Sequence, residues 1–329
     1  MKKGMDKETF KIAVLTSGAD ASGMNFAISA VTKYAEYKSC QVIGFYEGFI
    51  GLMNNKFIKL DTEYVDGLEE RGGTFLYTAR TSEFKTEKGI NKATANLKQH
   101  KIDGLILIGG DGTFRGGNEL HKKGINVVGI PASIYNDISG TDYSIGFDSA
   151  LNTIKGMVSK IRDTASSHNR LFIIEVMGKN SGNIAINAGL ACAVDYILAP
   201  EIKFDMLKIS NSIRKRSSGK KHIIIMTAEG AARAHEVASC LGPLVGQEVR
   251  ISVLGYTQRG GSPSAIDRIL AARFAKEAVE LLLDGKSNLM AAIKGKYIRA
   301  VSFDNIINTR KDINKEYYKL AHILSTYNL

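Results

Sequence analysis

Three glycine-rich stretches carry the residue types in this chain that could do chemistry, and the chemistry they suit is the handling of phosphate. SGADASGMN (17–25) follows the apolar run 11–16, and GGDGT (109–113) follows the run 105–108. PASIYNDISGTDYSIGFD (131–148) follows a third short run, 127–130, and mixes three acids with many small residues. Glycine turns and helix N-termini present backbone N–H groups to phosphate oxygens, here near Gly18 and across GGDGT. Asp111 could hold a divalent ion through its carboxylate. RGGTFLYTAR (71–80) ends in Arg80, whose guanidinium could lie over an anion.

Such loops need strands and helices to place them. Residues 11–16 (KIAVLT) read as a buried parallel strand, followed by a helix from Met24 to Tyr37. QVIGFY (41–46) reads as a second strand. KATANLKQHKID (92–103) reads as a helix with Ala95 and Leu97 among its few apolar positions, and 105–108 as a strand with 109–113 as its loop. A helical period returns from Ile145 to Lys160 through Phe147, Leu151, Ile154 and Met157. Residues 170–178, 191–201, 222–230 and 249–255 each contain a strand. The segment 256–285 closes in an amphipathic helix (Leu270, Phe274, Val279, Leu282) stopped at Gly285. Strands that repeatedly end in Gly with Asp, Glu or Arg fit ligand binding at the carboxyl edge of parallel sheets.

The 329 residues, 44% apolar, suffice for two domains or one large α/β unit. Three separated cysteines without a CxxC indicate neither a disulfide framework nor a zinc site. No apolar run reaches the ~18 residues of a membrane span, and MKKGMDKETF lacks the apolar core of a signal peptide, so a cytoplasmic protein with no membrane partner is expected. The net charge of +11 implies anionic partners, phosphorylated metabolites or nucleic acid. No nucleic-acid motif is visible, so no nucleic-acid partner is expected. The densest basic cluster, Arg214 to Arg216 with Lys220 and Lys221, reads as a solvated helix-to-strand turn.

Taken together, TSGADASGMN, GFYEGFIGL, RGGTFLYTAR, IGGDGT, NDISGTDYSIGFDSA, EVMGKNSG and VLGYTQRGGSPSAIDR resemble the ATP-dependent 6-phosphofructokinases of bacterial type, from Lys11 to about Asp284. The resemblance implies an α/β fold of two similar doubly wound parallel-sheet domains with the active site in the cleft between them. Residues 1–148 plus about 263–307 would bind ATP and Mg2+. Residues 149–262 plus about 308–329 would bind fructose 6-phosphate. ATP contacts would come from Gly18, Tyr46, Arg80, Gly110, Asp111, Gly112 and Thr113, with Asp111 as the magnesium carboxylate. Gly112 and Ala132 stand where pyrophosphate-dependent relatives carry aspartate and lysine, which favours ATP. Ser133, Arg170, Met177, Glu229, Arg250, Tyr256 and Arg259 match sugar-phosphate positions, Arg170 and Arg250 reaching in from a neighbouring subunit. Arginine forks suit phosphate. The resemblance also implies glycolysis as the setting and a homotetramer, or a hetero-oligomer with a catalytic paralogue.

The sequence departs from the family at the base. The family's pentapeptide is Thr-Ile-Asp-Asn-Asp, its first aspartate the general base; here it reads Ser133-Ile134-Tyr135-Asn136-Asp137. Asp137 survives as a catalytic position, with Arg80 and Lys179, the latter in place of an arginine. An ordinary carboxylate of pKa near 4 is ionised at pH 7, whereas an ordinary phenol of pKa near 10 is ionised about one time in a thousand. Losing a general base costs roughly 10²–10⁴-fold. Turnover is therefore expected to be strongly reduced or lost, a non-catalytic regulatory paralogue being the alternative. Ala19, Ser22 and Tyr256 replace the family's glycine, proline and histidine. Of the effector arginines, Ser29, Lys33 and Thr62 stand at three positions while Arg162 and Lys220 are retained, so weak or altered effector control is expected.

Overall fold

Short β-branched runs alternating with helical periods build strand–helix units, and the computed structural model describes them over residues 9–215 and 222–325. β1 (Lys11–Ser17) leads to α1 (Met24–Tyr37), β2 (Gln41–Phe45), α2 (Phe49–Met53), β3 (Phe57–Leu60), α3 (Glu87–Gln99), β4 (Gly104–Gly109), α4 (Asp111–Lys122) and β5 (Val127–Pro131). Next come α5 (Phe147–His168), β6 (Leu171–Val176), α6 (Asn183–Ala191), β7 (Tyr196–Leu198), α7 (Met206–Arg214), β8 (Ile223–Ala228), α8 (Ala234–Val245) and β9 (Val249–Val253). The remaining elements are α9 (Ala265–Leu283), β10 (Leu289–Lys294), β11 (Tyr297–Ser302), α10 (Phe303–Ile307) and α11 (Lys315–Leu324). None of the described helices is long and apolar enough to cross a membrane.

The described chain divides into two compact units. The first holds residues up to 133, 138–146 and 259–311, around a seven-stranded sheet of order β11-β10-β5-β4-β1-β2-β3. Its inner strands are parallel, and β3 and β11 join the edges antiparallel. Leu15, Leu105, Leu107, Phe114, Val127 and Phe303 centre its core. The second unit holds 134–137, 147–258 and residues from 312, around an all-parallel sheet of order β7-β8-β6-β9. Leu171, Ile173, Tyr196, Ile225 and Val237 lie in its core. Parallel strands buried on both faces read as continuous apolar runs, which is why they stand out in the sequence.

Both sheets are wound outward from a central strand. In the first, the chain moves from β1 to β2 on one side and returns to β4 on the other. In the second, β7 and β8 lie to one side of β6 and β9 to the other. Such reversals open a crevice at the carboxyl ends of the two central strands. The loops there are 18–23 and 110 onward in the first unit, and 177–182 and 254–258 in the second.

Some element bounds differ from those expected. GGDGT is not a free loop: Gly109 ends β4, and Asp111 begins α4, where a carboxylate suits the positive end of the helix. The helix expected at 92–103 spans Glu87–Gln99, because Thr86 caps it by accepting from Gly89 N at 3.2 Å. Its buried stripe is Ile90, Ala93 and Leu97, while Ala95 is exposed. The helix expected from Ile145 starts at Phe147 and runs to His168, burying Phe147, Ala150, Ile154 and Val158. Met24–Tyr37 matches its expected bounds, and Gly285 follows α9 with φ +70°.

Candidate functional site: two half-sites at the strand crevices

The first unit ties its phosphate-type loops together through Thr113. The buried Thr113 hydroxyl, in the first turn of α4, donates to Ser17 O at 3.0 Å. Gly18 has φ +92°, a conformation L side chains avoid, and its carbonyl accepts from Thr78 Oγ1 at 2.8 Å. A side chain at Gly109 would lie 2.4 Å from both Ser17 O and Thr113 Oγ1, so only glycine lets β4 and β1 close this tightly. Open space surrounds Gly110 and Gly112. The first N–H groups of a helix have no intrahelical partner, so the start of α4 offers donors to an anion. Gly18, Gly110, Asp111, Gly112 and Thr113 are thus brought together.

Asp111 is half-exposed, and its Oδ2 pairs with Arg115 Nε at 2.9 Å. No cluster of three metal-ligating side chains exists among the described residues. Mg2+ is commonly bound by one or two carboxylates together with substrate phosphates. A half-exposed carboxylate beside open glycine backbone fits that manner of binding.

Tyr46 and Arg80 lie in the same unit. Tyr46 lines a cavity of about 590 Å³ with Tyr64, Arg71, Phe75 and Tyr77, and its ring lies 6.1 Å from that of Tyr77. Burial, reinforced by a hydrogen bond to Tyr64, pushes the Tyr46 phenol up to about 12. The cavity lining includes none of Gly18, Arg80, Asp111 or Thr113. Arg80 is exposed. Ser133 also belongs to this unit, and its carbonyl accepts from Ser144 Oγ at 2.6 Å. Arg259 belongs here too, with Nη1 3.8 Å from Asp20 Oδ1. Ser22 donates to Gly261 O at 2.9 Å, so a hydroxyl joins the first loop to the 259–261 turn.

The remainder of the pentapeptide, 134–137, sits in the second unit. Asn136 has φ +47°, and its carbonyl accepts from the buried Asn183 Nδ2 at 3.0 Å at the start of α6. Tyr135 is half-buried and Asp137 exposed. Met177, Lys179, Glu229 and Tyr256 gather at the carboxyl ends of β6, β8 and β9. Met177 N donates to Gln258 Oε1 at 3.2 Å, and Gly178 N to Glu229 Oε1 at 3.4 Å. Gly230 N donates to Gly178 O at 3.1 Å, clasping the two loops.

Arg170 and Arg250 are not part of that gathering. Arg170 precedes β6, and Arg250 pairs with Phe172 near the amino end of the sheet. At ~3.3 Å per residue the strand separates Arg170 from Met177 by roughly 20 Å. Arg250 pairs with Glu248 at 2.8 Å, while its buried Nε has no hydrogen-bond partner.

The residues expected at effector positions make contacts within the chain. Glu69 Oε1 accepts from Ser29 Oγ at 2.7 Å and from Lys33 Nζ at 2.5 Å. Thr62 N donates to Glu36 Oε2 at 3.0 Å. Arg162 donates to the carbonyls of Cys192 and Ala193, closing the C-terminal end of α6. Lys220 lies outside the described residues.

Two residues of the second half-site were not anticipated. Glu175 is an acid in the otherwise apolar run 171–176, a signal the sequence offered. Arg233 carried no sequence signal. Both contact the neighbourhood of Glu229.

A model of the phosphofructokinase family matches residues 11–282. The ATP-dependent 6-phosphofructokinase of Thermotoga neapolitana is 48% identical over 317 residues, covering 96% of this chain and 99% of its own length. That of Staphylococcus carnosus is 48% identical over 319 residues, with the same coverage. Among solved structures, Pichia pastoris phosphofructokinase in the T-state matches with a TM-score of 0.86 at 32% identity over 97% of this chain, which spans 39% of the yeast chain. A pyrophosphate-dependent phosphofructokinase from Marinobacter aquaeolei shares the fold at a TM-score of 0.84 and 22% identity. With a family model matching residues 11–282 and relatives 48% identical over nearly the full length, the chain belongs to the phosphofructokinase family.

Proposed function

We propose that this chain binds ATP with Mg2+ on the first unit and fructose 6-phosphate on the second, and that transfer to fructose 1,6-bisphosphate is strongly reduced or lost. The observation that carries the reading is Tyr135 in the position of the general base, in a backbone held by the Asn183–Asn136 hydrogen bond. The nucleotide phosphates lie against the start of α4 and Gly18, with Asp111 holding the ion. When bound, the ion neutralises charge on the phosphates. Arg80 is the first unit's cation for the transferring phosphoryl group, and Lys179 and Asp137 are the catalytic positions of the second unit. Met177, Glu229 and Tyr256, all on the second unit, contact the sugar.

The distance along β6 between Arg170 and Met177 supports a further element of the reading. Arg170 and Arg250 serve the 6-phosphate of a neighbouring subunit, so the protein acts as an oligomer in the cytoplasm. The internal Ser29–Glu69–Lys33 contacts support weak effector control, since the one cation among them, Lys33, already has an anion. The retained arginines beside a missing base also favour a second reading, a regulatory subunit that binds ligands and modulates an active phosphofructokinase. The test is a coupled assay of fructose 1,6-bisphosphate formation alongside calorimetric binding of each ligand. Binding without family-like turnover supports the proposal, and absence of fructose 6-phosphate binding removes it.

A further inference from the structure

Outside the family positions, a cluster of charged groups lies at the end of β8. Glu175 is 5% exposed, an ionisable side chain inside a strand, and such groups stay charged only when paired and hydrogen-bonded. Its Oε2 accepts from Ala234 N at 2.7 Å, at the amino end of α8. Its Oε1 accepts from Arg233 Nη1 at 2.9 Å. The same Nη1 lies 3.1 Å from Glu229 Oε2, and the other oxygen of Glu229 faces Gly178 N at 3.4 Å. One nitrogen thus joins a carboxylate fixed in the fold to a carboxylate at the mouth of the crevice. Arg233 N also donates to Glu236 Oε2 at 2.9 Å, which fixes the backbone from which the guanidinium projects.

We infer that Arg233 is a positioning residue for sugar binding: anchored on buried Glu175, it fixes the carboxylate of Glu229 so that its free lone pairs face the sugar hydroxyls. The inference rests on the reading that Glu229 contacts the sugar. A carboxylate has about four lone-pair sites, and the contacts with Arg233 and Gly178 use two, leaving the rest for hydroxyl donors. Without Arg233 the Glu229 side chain would have to be ordered at the moment of binding, a cost that pre-organisation removes. A lysine ammonium can also bridge two carboxylates, so the role requires a cation at this point and not a fork.

The experiment is calorimetric titration of the full chain with fructose 6-phosphate, with thermal melts of each variant. Arg233→Met and Glu229→Gln are each expected to weaken binding about tenfold, and Arg233→Lys to stay within about threefold of the parent. Combined with Glu229→Gln, Arg233→Met should add nothing, because its action passes through that carboxylate. A purely structural Arg233 would weaken binding equally in both backgrounds, which overturns the inference. Arg233→Met leaves Glu175 buried and unpaired and can unfold the chain, so Arg233→Met with Glu175→Gln removes both charges together. That pair is also expected to bind about tenfold more weakly, and parent-like affinity would overturn the inference. If the parent chain binds no fructose 6-phosphate, the underlying reading falls and the inference with it. If the parent binds and only the Arg233 variants are silent, the inference alone falls.

Discussion

Replacing Tyr135 by aspartate is the perturbation from which most can be learned. The backbone there is set by neighbours: Asn136 holds its left-handed φ of +47°, and Asn183 Nδ2 grips its carbonyl at 3.0 Å. Exchanging the adjacent side chain leaves these contacts in place. The substitution also replaces a half-buried ring with a smaller side chain. A restored general base is worth roughly 10²–10⁴-fold, which is about 2.7–5.4 kcal/mol of barrier at 1.36 kcal/mol per tenfold. Positioning and charge stabilisation dominate phosphoryl transfer, so a small residual rate in the parent chain is compatible with the account. The assay is coupled turnover of ATP and fructose 6-phosphate on parent and Tyr135→Asp protein at equal concentration, with melts to verify folding. The account expects a gain of at least about a hundredfold, with ligand affinities little changed. A folded Tyr135→Asp protein that binds both ligands and turns over no faster would refute the reasoning.

Three further outcomes follow from particular contacts. Gly109→Ala would place a methyl 2.4 Å from Ser17 O and Thr113 Oγ1, and should destabilise the first unit by about 1–3 kcal/mol, read as a lower Tm; an unchanged melt contradicts the packing described. Burial of Glu69 opposes its ionisation, but hydrogen bonds from Lys33 and Ser29 outweigh it and hold the carboxyl down at about 2. Because the folded value is depressed, the stability it contributes is present above the ordinary glutamate pKa of about 4.3 and is lost as pH falls towards 2. The difference in Tm between parent and Glu69→Gln should therefore shrink over that window, and a constant difference argues against the pairing. If Arg250 serves a neighbouring subunit, fructose 6-phosphate affinity should fall on dilution through the range where sedimentation shows the assembly dissociating, and Arg250→Ala should weaken binding by at least tenfold in the assembled state; affinity independent of assembly would contradict that role.

The strands were legible because parallel sheets bury both faces and leave continuous apolar runs such as 11–16, 105–108 and 223–228. β10 was missed although it is a buried apolar run, and the edge strands β3 and β11 were missed because they are largely exposed and their pairing is set by the neighbouring strand. GGDGT looked like a loop because its glycines hide the helix that begins at Asp111. Within the candidate sites, the family resemblance implied Gly18 with Thr113 and Met177 with Glu229, and the structure places Gly18 by Thr113 and Gly178, next to Met177, by Glu229. The resemblance could not reveal that Ser29 and Lys33 turn inward to Glu69, or that Arg162 closes α6. Those contacts depend on side-chain reach across elements far apart in sequence. Arg233 is the clearest such case, lying 58 residues from Glu175 in the chain.

The account stands most directly on the turnover of the parent protein itself. With ATP, Mg2+ and fructose 6-phosphate all shown by calorimetry to be bound, it predicts a rate at least about a hundredfold below the roughly 1–100 s⁻¹ typical of kinases. A rate inside that range, abolished by Tyr135→Phe, would make the phenol a working base and contradict it.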